Sequence, residues 1–193
     1  VAPAGQADRT RFEQVLDGDD ELILAWAELI EEYGGIEDWS GFDARERQMM
    51  KDMRHAIPET IHETVRSRGL SKIATDLAVP AGALDEMLHT YRRVGEKSGL
   101  DYCFFGHIGD DHLHFNFLPK TEKESETGMT LALQLCRRAI DLGGTISAEH
   151  GCGKKAYTDD GRSVPLLKLM YGKEGLRQCA RTKLALDPPA LLN

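Results

Sequence analysis

The chain has little that points toward a membrane, a nucleic acid or an oxidising compartment. No apolar run approaches the roughly 20 residues that a transmembrane helix requires, and no signal peptide opens the chain. Positive charge is scarce: 24 Lys and Arg stand against 32 Asp and Glu, a net −8 over 193 residues. Such a balance disfavours phosphate backbones and anionic lipid surfaces as partners. The four cysteines, Cys103, Cys136, Cys152 and Cys179, form no CxxC pair. A disulfide framework and a thiolate metal cluster are therefore not indicated, and the thiols read as those of a protein in a reducing cytoplasm. There is no repeat, no low-complexity linker and no glycine fingerprint for a dinucleotide.

What remains is ordinary globular composition, 41% hydrophobic and 29% charged, enough for one good core. The chain starts at Val1 rather than Met and stops just after the Pro-rich "LDPPALLN", so a piece of a longer protein is expected. The first third predicts helices. Residues 20 to 33 place Leu22, Trp26, Leu29 and Ile30 at helical spacing, with Asp19 or Asp20 as cap and Gly34-Gly35 as stop. A second helix is expected from Asp43 to near Gly69, kinked or divided at Pro58 because proline removes a donor.

From residue 71 short strands alternate with helices. "KIATDLAV" (72 to 79) is β-rich, residues 83 to 99 read as a helix closed by Gly99, and "YCFFGHI" and "HLHFNFL" read as a hairpin turning at Gly109, Asp110 and Asp111. A long helix from 122 and a short strand "TISA" (145 to 148) complete the order β-α-β-β-α-β. The fold class expected is α+β: a ferredoxin-like antiparallel sheet with helices on one face, plus N-terminal helices.

The hairpin is unusually rich in imidazole. With Asp110 and Asp111 central in the turn, His107 lies opposite His114, and His112, His114 and Asn116 share a face through the two-residue period of a strand. Two imidazoles so placed can converge on one cation. The plainer reading is a solvated sheet face decorated with histidines.

A second polar concentration is "DLGGTISAEHGCGKK" (141 to 155), where glycines surround Glu149 and His150 just past a strand end. Glu149 can add an oxygen to a cation held by His107 and His114. A His2Glu set with open positions suits a catalytic rather than a structural metal. His150 is then left free to act as a general base near neutral pH. The alternative is a capped helix start with an incidental histidine.

Together "GHIGDDHLHFN", "GGTISAEHGCG" some 35 residues on, "DLAVP" upstream and "LDPPALLN" at the end resemble the C-terminal domain of FAD-linked oxidases of the D-2-hydroxyacid dehydrogenase type. That group includes D-lactate dehydrogenase, the glycolate oxidase flavin subunit and D-2-hydroxyglutarate dehydrogenase. The family pattern is close to G-H-x-G-D-G-N-L-H-x-N and G-G-x-x-S-G-E-H-G-x-G, so this chain departs from it at Asp111, His112 and Ala148. The resemblance implies that residues 1 to 193 are a substrate- and metal-binding cap domain, with the FAD-binding domain lying N-terminal to it in cis and a downstream electron acceptor as a further partner. It implies an oxidoreductase taking a small 2-hydroxy acid to the 2-oxo acid, the fragment alone being inactive. By the same resemblance His107, His114 and Glu149 bind zinc or manganese, His150 is the base, and Asn116 contacts substrate. Arg54, in "RHAIPETI", pairs with the substrate carboxylate through its bidentate fork, with Lys72 as a second candidate. Arg54 also reads as a plain surface helix residue.

Two other readings compete. "HLHFNFLP" resembles the strand of histidine-triad nucleotidyl hydrolases and transferases, although Asn116 stands at the third histidine. A non-catalytic ferredoxin-like binding module for RNA would use Phe104, Phe105, Phe115 and Phe117, against the acidic charge of the chain.

Overall fold

The computed structural model describes residues 20–35, 41 and 43–192. The chain divides into two compact units, Val1–Glu59 and Thr60–Asn193. In the first unit, helix α1 spans Asp20–Glu32 and stops at Gly34-Gly35, whose amides donate to the carbonyls of Glu31 and Ile30 at 3.1 and 2.8 Å. Asp19, the alternative cap, lies outside the described residues. Helix α2 spans Ala44–Arg66. It begins where Asp43 Oδ1 accepts the amide of Glu46 at 2.8 Å, the usual N-cap service to an orphan donor. Contrary to the expected division, α2 runs through Pro58 without a break.

The second unit contains the predicted sheet. The expected strand 72 to 79 appears as β1, Ile73–Ala74, and β2, Leu77–Ala78. Both pair antiparallel with β4, His112–Phe117, and the register carries through from one to the other. Thr75 maintains it by donating its amide to the Phe115 carbonyl at 2.9 Å. Asp76 therefore falls opposite His114, on the same face. Helix α3, Leu84–Ser98, closes at Gly99 and leads to β3, Tyr102–His107.

The β3–β4 hairpin departs from the expected register. His107 pairs with His112 and Phe105 with His114, because the connection is a turn of 3₁₀ helix over Ile108–Asp110 with Asp111 left-handed at φ 50°. The slip is two residues, an even number, so every side chain keeps its predicted face.

Helix α4, Glu122–Asp141, starts at the Thr121 cap. Thr121 Oγ1 accepts the Glu124 amide at 3.2 Å, while Glu124 Oε2 accepts the Lys120 amide at 2.8 Å. The predicted strand 145 to 148 shrinks to a single bridge between Ala78 and Thr145. Ordering the strands across the sheet gives Thr145, β1/β2, β4, β3, the ferredoxin-like arrangement. Met87 and Tyr91 of α3 and Leu135 and Ala139 of α4 join Leu113, Phe115 and Phe117 in one core. Tyr91 and Tyr102 stack on fully buried Phe115 with ring centroids 5.2 and 5.3 Å away. The helices thus cover the odd-numbered face of β4 and leave the histidine face to the site.

Beyond the predicted elements, β5 (Ala156–Asp159) and β6 (Arg162–Pro165) form a second hairpin. Its Asp160-Gly161 turn has both φ positive, at 47° and 73°, the mirror-image turn that matches strand twist. Helix α5, Leu167–Leu186, follows and bends at Gly172.

Candidate metal centre

Four imidazoles and two carboxylates from three distant stretches meet on the open face of the sheet. His107 comes from the end of β3, His112 and His114 from β4, Asp76 from the break between β1 and β2, and Glu149 and His150 from the loop after Thr145. Glu149 Oε1 lies 3.0 Å from His114 Nε2, 3.0 Å from His150 Nε2 and 3.8 Å from His107 Nε2. His107, His112, His114 and Glu149 each offer one ligand atom within 4.8 Å of the others, and Asp76, His114, Glu149 and His150 do the same.

The predicted trio His107, His114 and Glu149 is thus brought together, although His114 sits diagonal to His107 rather than opposite it. His150 is brought in too, but it is not unengaged as expected: its Nε2 meets Glu149. Asn116, two residues along β4 from His114, is fully buried. Its Nδ2 donates to the His114 carbonyl at 3.1 Å, and its Oδ1 has no partner. Lys72, half-buried just before β1, acts at the Asn116 end of the sheet, where burial raises the thiol pKa of Cys103 and the Lys72 ammonium opposes that rise. Arg54 is exposed on α2 within the first unit.

Asp76 was not singled out from the sequence, and it organises the cluster. Its Oδ1 accepts from His112 Nε2 at 2.9 Å, and its Oδ2 from Ser147 Oγ at 3.0 Å and from the amides of Glu149 and His150 at 3.2 and 2.9 Å. The only signal was an acid in the mostly apolar, β-rich "IATDLAV". These bonds also explain the shortened last strand. The carboxylate draws the amides of 149 and 150 toward itself, and the Asp76 carbonyl takes the Ala148 amide at 3.0 Å, so the chain turns into the site instead of extending along β2.

The electrostatics suit a cation. Burial alone would raise the Asp76 pKa, yet the donated bonds from His150, Glu149, Ser147 and His112 outweigh it and bring it down to about 2. Burial, with His112 adjacent, lowers the pKa of His114 against the opposing pull of Asp76 and Glu149, which favours the neutral imidazole that metal ligation requires. Imidazole nitrogens with a carboxylate oxygen are a donor set for zinc and related ions.

Fold and cluster together define an α+β domain of ferredoxin-like topology that carries, on one sheet face, a group of imidazoles and carboxylates able to hold a metal ion. Comparison with known proteins makes the assignment specific. Residues 15–193 match the model of the family described as FAD linked oxidases, C-terminal domain, and the chain belongs to that family. It is 31% identical over 123 residues to the glycolate oxidase subunit GlcD of Bacillus subtilis, covering 63% of this chain and 25% of that protein. It is 30% identical over 192 residues to the mitochondrial D-lactate dehydrogenase (cytochrome) of Kluyveromyces lactis, 98% of this chain and 27% of the relative. A D-2-hydroxyglutarate dehydrogenase of Xanthomonas citri is 29% identical over 195 residues, 95% of this chain and 38% of the relative. The chain therefore spans between about a quarter and two-fifths of the length of these relatives. Family membership displaces the histidine-triad and RNA-module readings. Among the described residues, no helix is long and apolar enough to cross a membrane.

Proposed function

We propose that this chain is the substrate- and metal-holding part of a flavin-dependent dehydrogenase that oxidises a D-2-hydroxy acid to the 2-oxo acid. The observation that carries this reading is the convergence of His107, His114 and His150 on one oxygen of Glu149. FAD is assigned mainly to an N-terminal domain in cis. In support, the turn from β2 into α3, residues 79–83, contains a single glycine, Gly82, and lacks the glycine spacing of a dinucleotide phosphate cradle.

His107, His114 and Glu149 hold a zinc or manganese ion. When bound, such an ion lowers the pKa of a hydroxyl that it polarises. His150, 63% exposed at its side chain, would take the hydroxyl proton as general base, and a flavin held by the N-terminal domain would supply the hydride-accepting chemistry. Arg54 is assigned to the substrate carboxylate on the resemblance of its segment, with Lys72 as the weaker alternative. Asn116 is assigned to the substrate through Oδ1, whose hydrogen-bonding capacity is unused.

Two variants of the complete enzyme separate the roles. His150→Ala should keep its metal content and lower kcat by about 10² to 10⁴. Glu149→Gln should lose metal, raise KM and lower kcat together. Loss of metal from His150→Ala, or turnover at wild-type rate, would sink the base assignment. The chain by itself should purify colourless and be inactive toward D-lactate and D-2-hydroxyglutarate; a flavin spectrum in that preparation would overturn the division of labour.

A further inference from the structure

Building on the metal-holding role assigned above, we propose that His112 is a fourth protein ligand of the cation, so that the centre is three imidazoles and one carboxylate and selects zinc over manganese. His112 is 5% exposed and lies directly across the hairpin from His107. Its ring centroid is 4.5 Å from that of His114, edge to face, and 5.5 Å from that of His107. One of its ring nitrogens belongs to the same 4.8 Å group as His107, His114 and Glu149.

Asp76 supplies the orientation. Its Oδ1 accepts from His112 Nε2 at 2.9 Å, which puts the ring proton on Nε2 and leaves the lone pair on Nδ1. A carboxylate that holds one nitrogen of an imidazole while the other meets a metal is the arrangement that sets ring angle and basicity in many metal sites. The same Asp76 holds the amides of Glu149 and His150. One buried carboxylate therefore positions His112 and the peptide that carries Glu149.

The chemical consequence is metal choice. Each added imidazole favours a borderline ion such as zinc, whereas manganese stands at the weak end of the divalent series and prefers oxygen.

The test uses the purified chain stripped with chelator. Zn²⁺ and Mn²⁺ affinities are measured calorimetrically, and the Co²⁺-loaded absorption spectrum is recorded, for wild type, His112→Asn and His112→Gln. Zn²⁺ affinity should fall at least about tenfold in a folded variant, Mn²⁺ affinity should change much less, and the Co²⁺ bands should shift with the lost nitrogen. Near-UV circular dichroism shows whether each variant folds. X-ray absorption of the Zn²⁺-loaded wild type needs no variant and should count three imidazoles. A folded variant with wild-type Zn²⁺ affinity and Co²⁺ spectrum, or a count of two imidazoles, reduces Asp76–His112 to a structural hydrogen bond while leaving the metal centre intact. A wild type that binds none of the three ions overturns both this proposal and the metal-holding role.

Discussion

Asp76 shows how far one side chain can reach in this domain. It is 5% exposed and accepts four hydrogen bonds from two segments, β4 and the loop 147–150. Asp76→Ala leaves those donors without their acceptor and should cost about 2 to 4 kcal/mol, measured by urea unfolding. Its pKa falls from 3.8 to about 2 on folding. The folded state thus binds fewer protons than the unfolded chain between those values, and stability is lost as pH falls through them. The contribution is on the order of 2 kcal/mol above pH 4. Acid titration should show that loss in wild type and a flatter curve in Asp76→Asn. The thiols differ in the opposite sense: burial pushes Cys136 up to about 11, whereas Cys179 is exposed. Native labelling with a maleimide should modify Cys179 first, and early modification of Cys136 would show that its burial is wrongly assigned.

At the scale of elements, the close meeting of α4's end with β2 is the most constrained joint. A Cβ on Gly144 would sit 2.2 Å from the Ala78 carbonyl oxygen and 2.9 Å from that of Ala139. Both neighbours are backbone and neither can swing aside. Gly144→Ala should therefore cost about 2 to 4 kcal/mol and break the Ala78–Thr145 bridge that delivers the Glu149 loop to the site. Metal affinity should fall with stability. Gly143→Ala is the control: its φ is +81°, yet its Cβ would find only Pro80 Cγ at 3.5 Å. That change should cost about 1 kcal/mol, the price of left-handed backbone alone. Equal losses in the two variants, by thermal melting, would remove steric contact as the cause.

For the whole domain, stability and ligation are linked. Phe115, fully buried, stacks on Tyr91 of α3 and Tyr102 of β3 within the core, and Phe115→Ala should cost about 3 to 5 kcal/mol. A cation that binds only the folded state should restore about 2.7 kcal/mol at a hundredfold excess over its Kd. Zn²⁺ should thus raise the melting temperature of wild type, EDTA should reverse the rise, and His114→Ala should not respond.

Periodicity and turn residues were sufficient for helices α1 to α4, the β3–β4 hairpin and the face of each histidine, because those depend on neighbours along the chain. The Asp160-Gly161 hairpin carried an equally local signal and could have been read in the same way. Three features needed the folded molecule. Pro58 is tolerated inside α2. The hairpin connection is a 3₁₀ turn, which moved His112 rather than His114 opposite His107. Asp76 sits 36 residues from His112 and 74 from His150, and local pattern cannot show that a β1–β4 register turns its carboxylate onto both. The sequence by itself determined which residues face the site and which family the motifs resemble. Only tertiary pairing decided which of them touch, since contacts between distant strands depend on register and on where a loop is caught.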